Sequence, residues 1–127
     1  MLHKGPVSRV LHGVWEYLIA VLLITSPFLF DFDADGATAV AIVLGVLLIG
    51  LAAASEGPSG LVDQIALPAH AVLDYLVAAV LIASPFVFGF SDDAEPTALF
   101  LALGVAHLVL SIATRYVPDH AEDPITV

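Results

Sequence analysis

His12–Phe32 reads HGVWEYLIAVLLITSPFLFDF, and His70–Phe90 reads HAVLDYLVAAVLIASPFVFGF. Laid over one another at an offset of 58 (70 − 12), the two stretches agree at 12 of 21 positions, including His12, Tyr17, Ser26, Pro27, Phe28, Phe30 and Phe32. One unit is used twice. Each copy is an apolar run ended by a proline and a cluster of phenylalanines, and each is followed by an acidic turn and a second apolar run. The chain therefore reads as two tandem helical hairpins.

Composition supplies the solvent. The 127 residues are 60% hydrophobic with a mean hydropathy of +1.01, well outside soluble globular usage. Apart from Glu16 and Asp74, charge falls between or beyond four apolar runs near 15–30, 37–54, 75–88 and 97–114. A hydrocarbon core of about 30 Å needs roughly 20 helical residues, and each run reaches that with its flanks. A soluble bundle would need a charged stripe on every helix, and these runs have none. The fold class expected is an all-α integral membrane four-helix bundle of two parallel hairpin repeats.

The segments follow in order: an N-terminal segment over 1–10, a first repeat over 11–55, a linker over 56–68, a second repeat over 69–116 and a polar tail over 117–127. Met1–Arg9 leads straight into the first span, which reads as a retained signal anchor. Ser8–Arg9 opens helix 1, and Pro27 predicts a kink or stop near Ser26. Ala37, Ala41 and Gly45 form a small-residue column that would let helix 2 approach a neighbour closely. In the linker, Leu61, Val62, Ile65 and Leu67 would lie along the headgroups as a short amphipathic turn. Pro96 opens helix 4, and the tail, punctuated by Pro118 and Pro124, is expected to be disordered.

Lys4 and Arg9 precede helix 1 and Arg115 follows helix 4, so every cation lies on one side. The positive-inside bias then makes both termini and the linker cytoplasmic, with the acidic turns 31–36 and 91–95 outside. The location is the cell membrane, multi-pass, with lipid as the constant partner and a homo-oligomer or larger membrane complex left open. A net charge of −10 makes nucleic acid a poor partner and fits either a high-salt, halophilic setting or simply a pair of acidic outer loops. Without cysteine, disulfides and thiolate metal sites are excluded.

The repeated L-I-x-S-P-F-x-F segment, with Ser26-Pro27-Phe28 and Ser84-Pro85-Phe86 at the outer end of the first helix of each hairpin, resembles the SPW repeat family of small membrane proteins. The resemblance covers Leu11–Thr114. Phe stands where the family name has Trp, which keeps an interfacial aromatic but loses the indole donor. The resemblance implies a four-helix integral membrane protein and brings no catalytic residue with it.

Chemistry, if there is any, lies on one repeated face: His12, Glu16, Ile19, Leu23, Ser26, Pro27 and Phe30, and likewise His70, Asp74, Val77, Leu81, Ser84, Pro85 and Phe88. An acid inside a span is costly and usually faces protein or water. Glu16 and Asp74 each lie 11 residues before a proline, and His107 lies 11 after Pro96. At ~1.5 Å per residue all three share a layer, flanked by Tyr17 and Tyr75, with His12 and His70 one turn nearer the termini. His107 has no counterpart, since the matching position in helix 2 is Leu48.

The leading reading of this layer is structural: hydrogen-bonded carboxylates fix how the hairpins dock, in a non-enzymatic structural or accessory protein without a cofactor. Three alternatives stand beside it. They are a proton or ion path, haem between His12 and His70, and a divalent metal held by His12, Glu16, His70 and Asp74, a set suited to zinc, iron or manganese. The phenylalanines 28, 30, 32, 86, 88 and 90 read as an interfacial belt covering the proline break. There is no Ser–His–Asp order, phosphate loop or dinucleotide fingerprint.

Overall fold

A computed structural model describes residues 7–55, 60–62 and 64–114. Lys4, Pro6, Gly57, Pro58 and Arg115, and the expected disorder of the tail, lie outside the described residues. Four helices make up the fold: α1 over Arg9–Leu29, α2 over Asp35–Ala54, α3 over Leu67–Val87 and α4 over Ala94–Ala113. All four are long and apolar enough to cross a membrane, and their outward residues, among them Leu18, Val21, Leu47, Leu76 and Val109, are exposed and apolar. Water would penalise such a surface, whereas lipid does not.

Each helix begins and ends where local chemistry allows. Ser8 caps α1, its hydroxyl accepting from the Leu11 N–H at 3.3 Å. α2 starts at Asp35 and α4 at Ala94, each two residues before the position expected from sequence. Asp35 and Glu95 thus sit in first turns, where the helix dipole favours an anion. Pro96 falls at the third helical position, whose N–H would have no intrahelical partner in any case.

α1 does not stop at Ser26 but runs through Pro27 to Leu29. The proline leaves the Leu23 carbonyl without its donor four residues on, and the Ser26 hydroxyl donates to that carbonyl at 2.9 Å. In α3 the Ser84 hydroxyl bonds instead to the Val80 carbonyl, one residue earlier.

α1 packs along α2 and α3 along α4. Ala37, Ala41 and Gly45 are buried as a column on α2, and a Cβ on Gly45 would stand 2.8 Å from the Ala20 carbonyl oxygen of α1. The hairpins meet through the pairs α1–α4 and α2–α3. Between α2 and α3 they part, leaving an apolar groove of about 500 Å³ lined by Leu44, Leu47, Leu51, Leu73, Leu76 and Val80.

At the terminal end, the segment leading into the first helix of each hairpin pairs with the end of the other hairpin's second helix. Val7 bridges Thr114, its N–H donating to the Ala113 carbonyl, and Ile65 bridges Ser55, its N–H donating to the Ala54 carbonyl. These bonds fill helix-end acceptors that lipid could not satisfy. In the linker, Leu61 and Val62 are exposed, with their N–H groups on the Ala53 carbonyl, so this segment lies across the end of α2 as bends and not as a helical turn.

At the turn end, Asp93 accepts from the N–H groups of Asp33 and Ala34, both at 2.9 Å, which ties the second turn to the start of α2. Phe28, Phe30, Phe86 and Phe88 are exposed there. Phe30 and Phe88 thus leave the face expected to point inward, because each caps its helix just past the seam. Phe90 departs from the belt in the other direction. It is buried edge-on against Phe100 at 5.1 Å, since α4 carries Phe100 where α2 carries the small Ala41.

Candidate functional site

Helical spacing of four residues puts His12 above Glu16 on α1 and His70 above Asp74 on α3. All four are buried at the seam between hairpins. Each histidine meets both acids. His12 Nε2 lies 3.0 Å from Asp74 Oδ2 and 3.4 Å from Glu16 Oε1, while His70 Nε2 lies 2.8 Å from Glu16 Oε1 and 3.2 Å from Asp74 Oδ2. The contact across the seam is the shorter one for both histidines. One donor atom from each of the four residues falls within 4.8 Å of the others.

The far sides of both imidazoles are anchored by hydroxyls from the neighbouring helix ends. His12 Nδ1 lies 2.7 Å from Thr114 Oγ1, and that hydroxyl gives its proton to the Leu110 carbonyl at 2.6 Å. His70 Nδ1 meets Ser55 Oγ, whose proton goes to the Leu51 carbonyl at 2.6 Å. A hydroxyl has one proton. Both oxygens therefore accept from Nδ1–H, and both Nε2 atoms face the carboxylates.

His107 completes the layer from α4. The Trp15 indole N–H donates to its Nδ1 at 3.1 Å, and its Nε2 points at Asp74 Oδ1 from 3.5 Å. The His12 and His107 rings are 5.7 Å apart. Leu48, at the equivalent place in α2, is buried and apolar, so the two halves of the site differ here. Asp74 consequently meets three histidines and Glu16 two.

The remaining sequence candidates lie at the margin or elsewhere. Tyr75 is half-buried, with its hydroxyl 3.5 Å from the Ser111 carbonyl, and Tyr17 is half-buried beside Glu16 in the chain. Ser26, Pro27, Ser84 and Pro85 are buried at the opposite end of the helices and take no part in the centre, while Phe28 and Phe86 are exposed. Sequence reading missed Ser55, Thr114 and Trp15. The two hydroxyls carried a signal, since 114 − 55 equals 59, the offset that also relates Gly45 to Gly104.

A family model described as the SPW repeat domain matches residues 9–114. No curated protein and no solved structure matches the chain.

Proposed function

This chain belongs to the SPW repeat family, and on that footing we propose that it serves in the membrane as a non-enzymatic structural or accessory protein, its two repeats locked together by the four-residue centre at their seam. The observation that carries this reading is the crossing of contacts: each histidine lies closer to the acid of the other hairpin than to its own. Side chains used this way hold a helix pair in register, because an acid that lost its partner would be stranded in a low-dielectric interior.

Burial supports the structural role: Glu16, Asp74 and His107 are 0–1% exposed, so each acid depends on partners inside the bundle. The positive-inside bias supports termini in the cytoplasm and acidic turns outside, since Lys4, Arg9 and Arg115 all belong to the terminal side.

The test is the unfolding of acid variants in detergent with chelator present, so that side-chain contacts alone are read. Glu16→Gln and Asp74→Asn, which keep an acceptor oxygen, are expected to fold and melt near wild type. Glu16→Leu and Asp74→Leu are expected to lose about 1–3 kcal/mol per stranded group. Equal melting temperatures for Leu and amide variants would end the reading.

A further inference from the structure

We infer that His12, Glu16, His70 and Asp74 form a closed binding site for one divalent transition-metal ion of the zinc class. The ligands are the two Nε2 atoms and one oxygen from each carboxylate. The inference rests on the convergence at the seam described above and adds what that convergence holds.

With both Nδ1–H groups given to Ser55 and Thr114, each imidazole turns its Nε2 toward two carboxylates, carrying a proton that the acids accept when the centre is empty and offering a lone pair once a metal takes that proton's place. Two acids buried together call for positive charge among them, and one divalent ion that displaces the two Nε2 protons supplies as much as those protons do. Two carboxylates and one divalent ion sum to zero, the charge a lipid-buried centre tolerates best. The far nitrogen of a metal-bound histidine ordinarily donates to an oxygen that fixes the ring's tautomer and orientation, and here a hydroxyl does so in both repeats.

Zinc with ligands at about 2.0–2.1 Å places neighbouring donors roughly 3.3 Å apart in a tetrahedron. Four of that tetrahedron's six edges, the nitrogen–oxygen ones, are 2.8, 3.0, 3.2 and 3.4 Å here, and all four donors lie within 4.8 Å of one another, so the wider pairs need only close by side-chain adjustment. Two imidazoles rule against calcium and magnesium, which take oxygen shells. A haem between the same histidines would need the space that Glu16 and Asp74 fill.

His107 belongs to the supporting shell. The Trp15 indole occupies its Nδ1, so the proton of the neutral ring is on Nε2 and faces Asp74 Oδ1. That leaves Asp74 Oδ2 as the single oxygen turned to the two liganding histidines.

The experiment uses the full-length chain in detergent, stripped with chelator and titrated with Zn²⁺ by calorimetry and with Co²⁺ by visible absorption. Trp15, the one tryptophan, serves as a fluorescence reporter through His107. Expected are one ion per chain, the intense visible bands of four-coordinate cobalt, and a change in Trp15 emission. Glu16→Gln with Asp74→Asn should weaken binding by at least 100-fold, and His107→Leu by about 10–100-fold.

Two results would overturn the inference. One is a wild-type chain that shows no saturable 1:1 binding or gives only the weak bands of six-coordinate cobalt. The other is binding equally strong in the double amide variant, which would mark adventitious uptake by the acidic turns. The wild-type cobalt spectrum decides even where a variant folds poorly. Failure here with Leu variants still destabilised in chelator leaves the lock standing; metal binding with Leu variants as stable as wild type removes the lock and keeps the ion.

Discussion

At position 31 the first repeat carries Asp with φ 52°, and at the equivalent position 89 the second carries Gly with φ 74°. Both residues end their helix in the left-handed conformation, so that the N–H of Phe32 bonds the Pro27 carbonyl at 3.2 Å and that of Phe90 bonds the Pro85 carbonyl at 2.9 Å. Asp tolerates this backbone better than most side chains and Gly tolerates it freely. Nothing lies within 4 Å of where a Cβ on Gly89 would stand, so Gly89→Ala tests backbone strain alone. It is expected to cost about 1 kcal/mol, read as a lower melting temperature in detergent with α-helix content unchanged. Asp31 was legible in the sequence as the start of the turn 31–36, whereas Gly89 fell before the turn read at 91–95, and the handedness of neither was legible, because Asp and Gly also occupy ordinary turns.

Between elements, close approach replaces the hydrophobic effect, since lipid is as apolar as leucine. Gly45 on α2 and Gly104 on α4 are equivalent glycines, and an added Cβ would meet Ile24 Cγ1 or Ile82 Cγ1 at 2.6 Å. The backbone contacts behind them differ. At Gly45 the Ala20 carbonyl oxygen stands at 2.8 Å, while at Gly104 the nearest backbone atom is the Ile82 nitrogen at 3.1 Å. An isoleucine can turn aside more easily than a helix backbone can. Both Gly→Ala changes are expected to destabilise by about 1–3 kcal/mol, with Gly45→Ala the worse in thermal melts; the reverse order would mean that the side chains, not the backbones, set the spacing. The column Ala37, Ala41, Gly45 was visible by its spacing, but composition alone could not separate a packing face from plentiful alanine.

Over the whole molecule, equivalent contacts recur with α1 exchanged for α3 and α2 for α4: Val7 with Thr114 and Ile65 with Ser55, His12 on Thr114 and His70 on Ser55. This is the relation expected of parallel repeats about an axis along the bundle. It puts the terminal ends, the linker and the centre at one end, and the acidic turns at the other. The absence of cysteine makes the proposed orientation open to labelling in intact cells. Asp92→Cys in the second turn is expected to react with a membrane-impermeant maleimide, and Lys4→Cys only after permeabilisation. The opposite pattern would invert the orientation while leaving the bundle intact.

Helices, solvent, duplication and the choice of buried face followed from sequence because they are one-dimensional properties: run length, hydropathy, an offset of 58 and a period near four. Those same properties placed Glu16, Asp74 and His107 in one layer. Which partner each side chain takes was a matter for tertiary structure. An offset says that two helices are alike and nothing about which ends touch, and the hydroxyls that orient His12 and His70 come from 102 and 15 residues away. His12 and His70, each four residues before an acid of its own helix, lie closer to the acid across the seam, because docking two hairpins in parallel brings both pairs to one point.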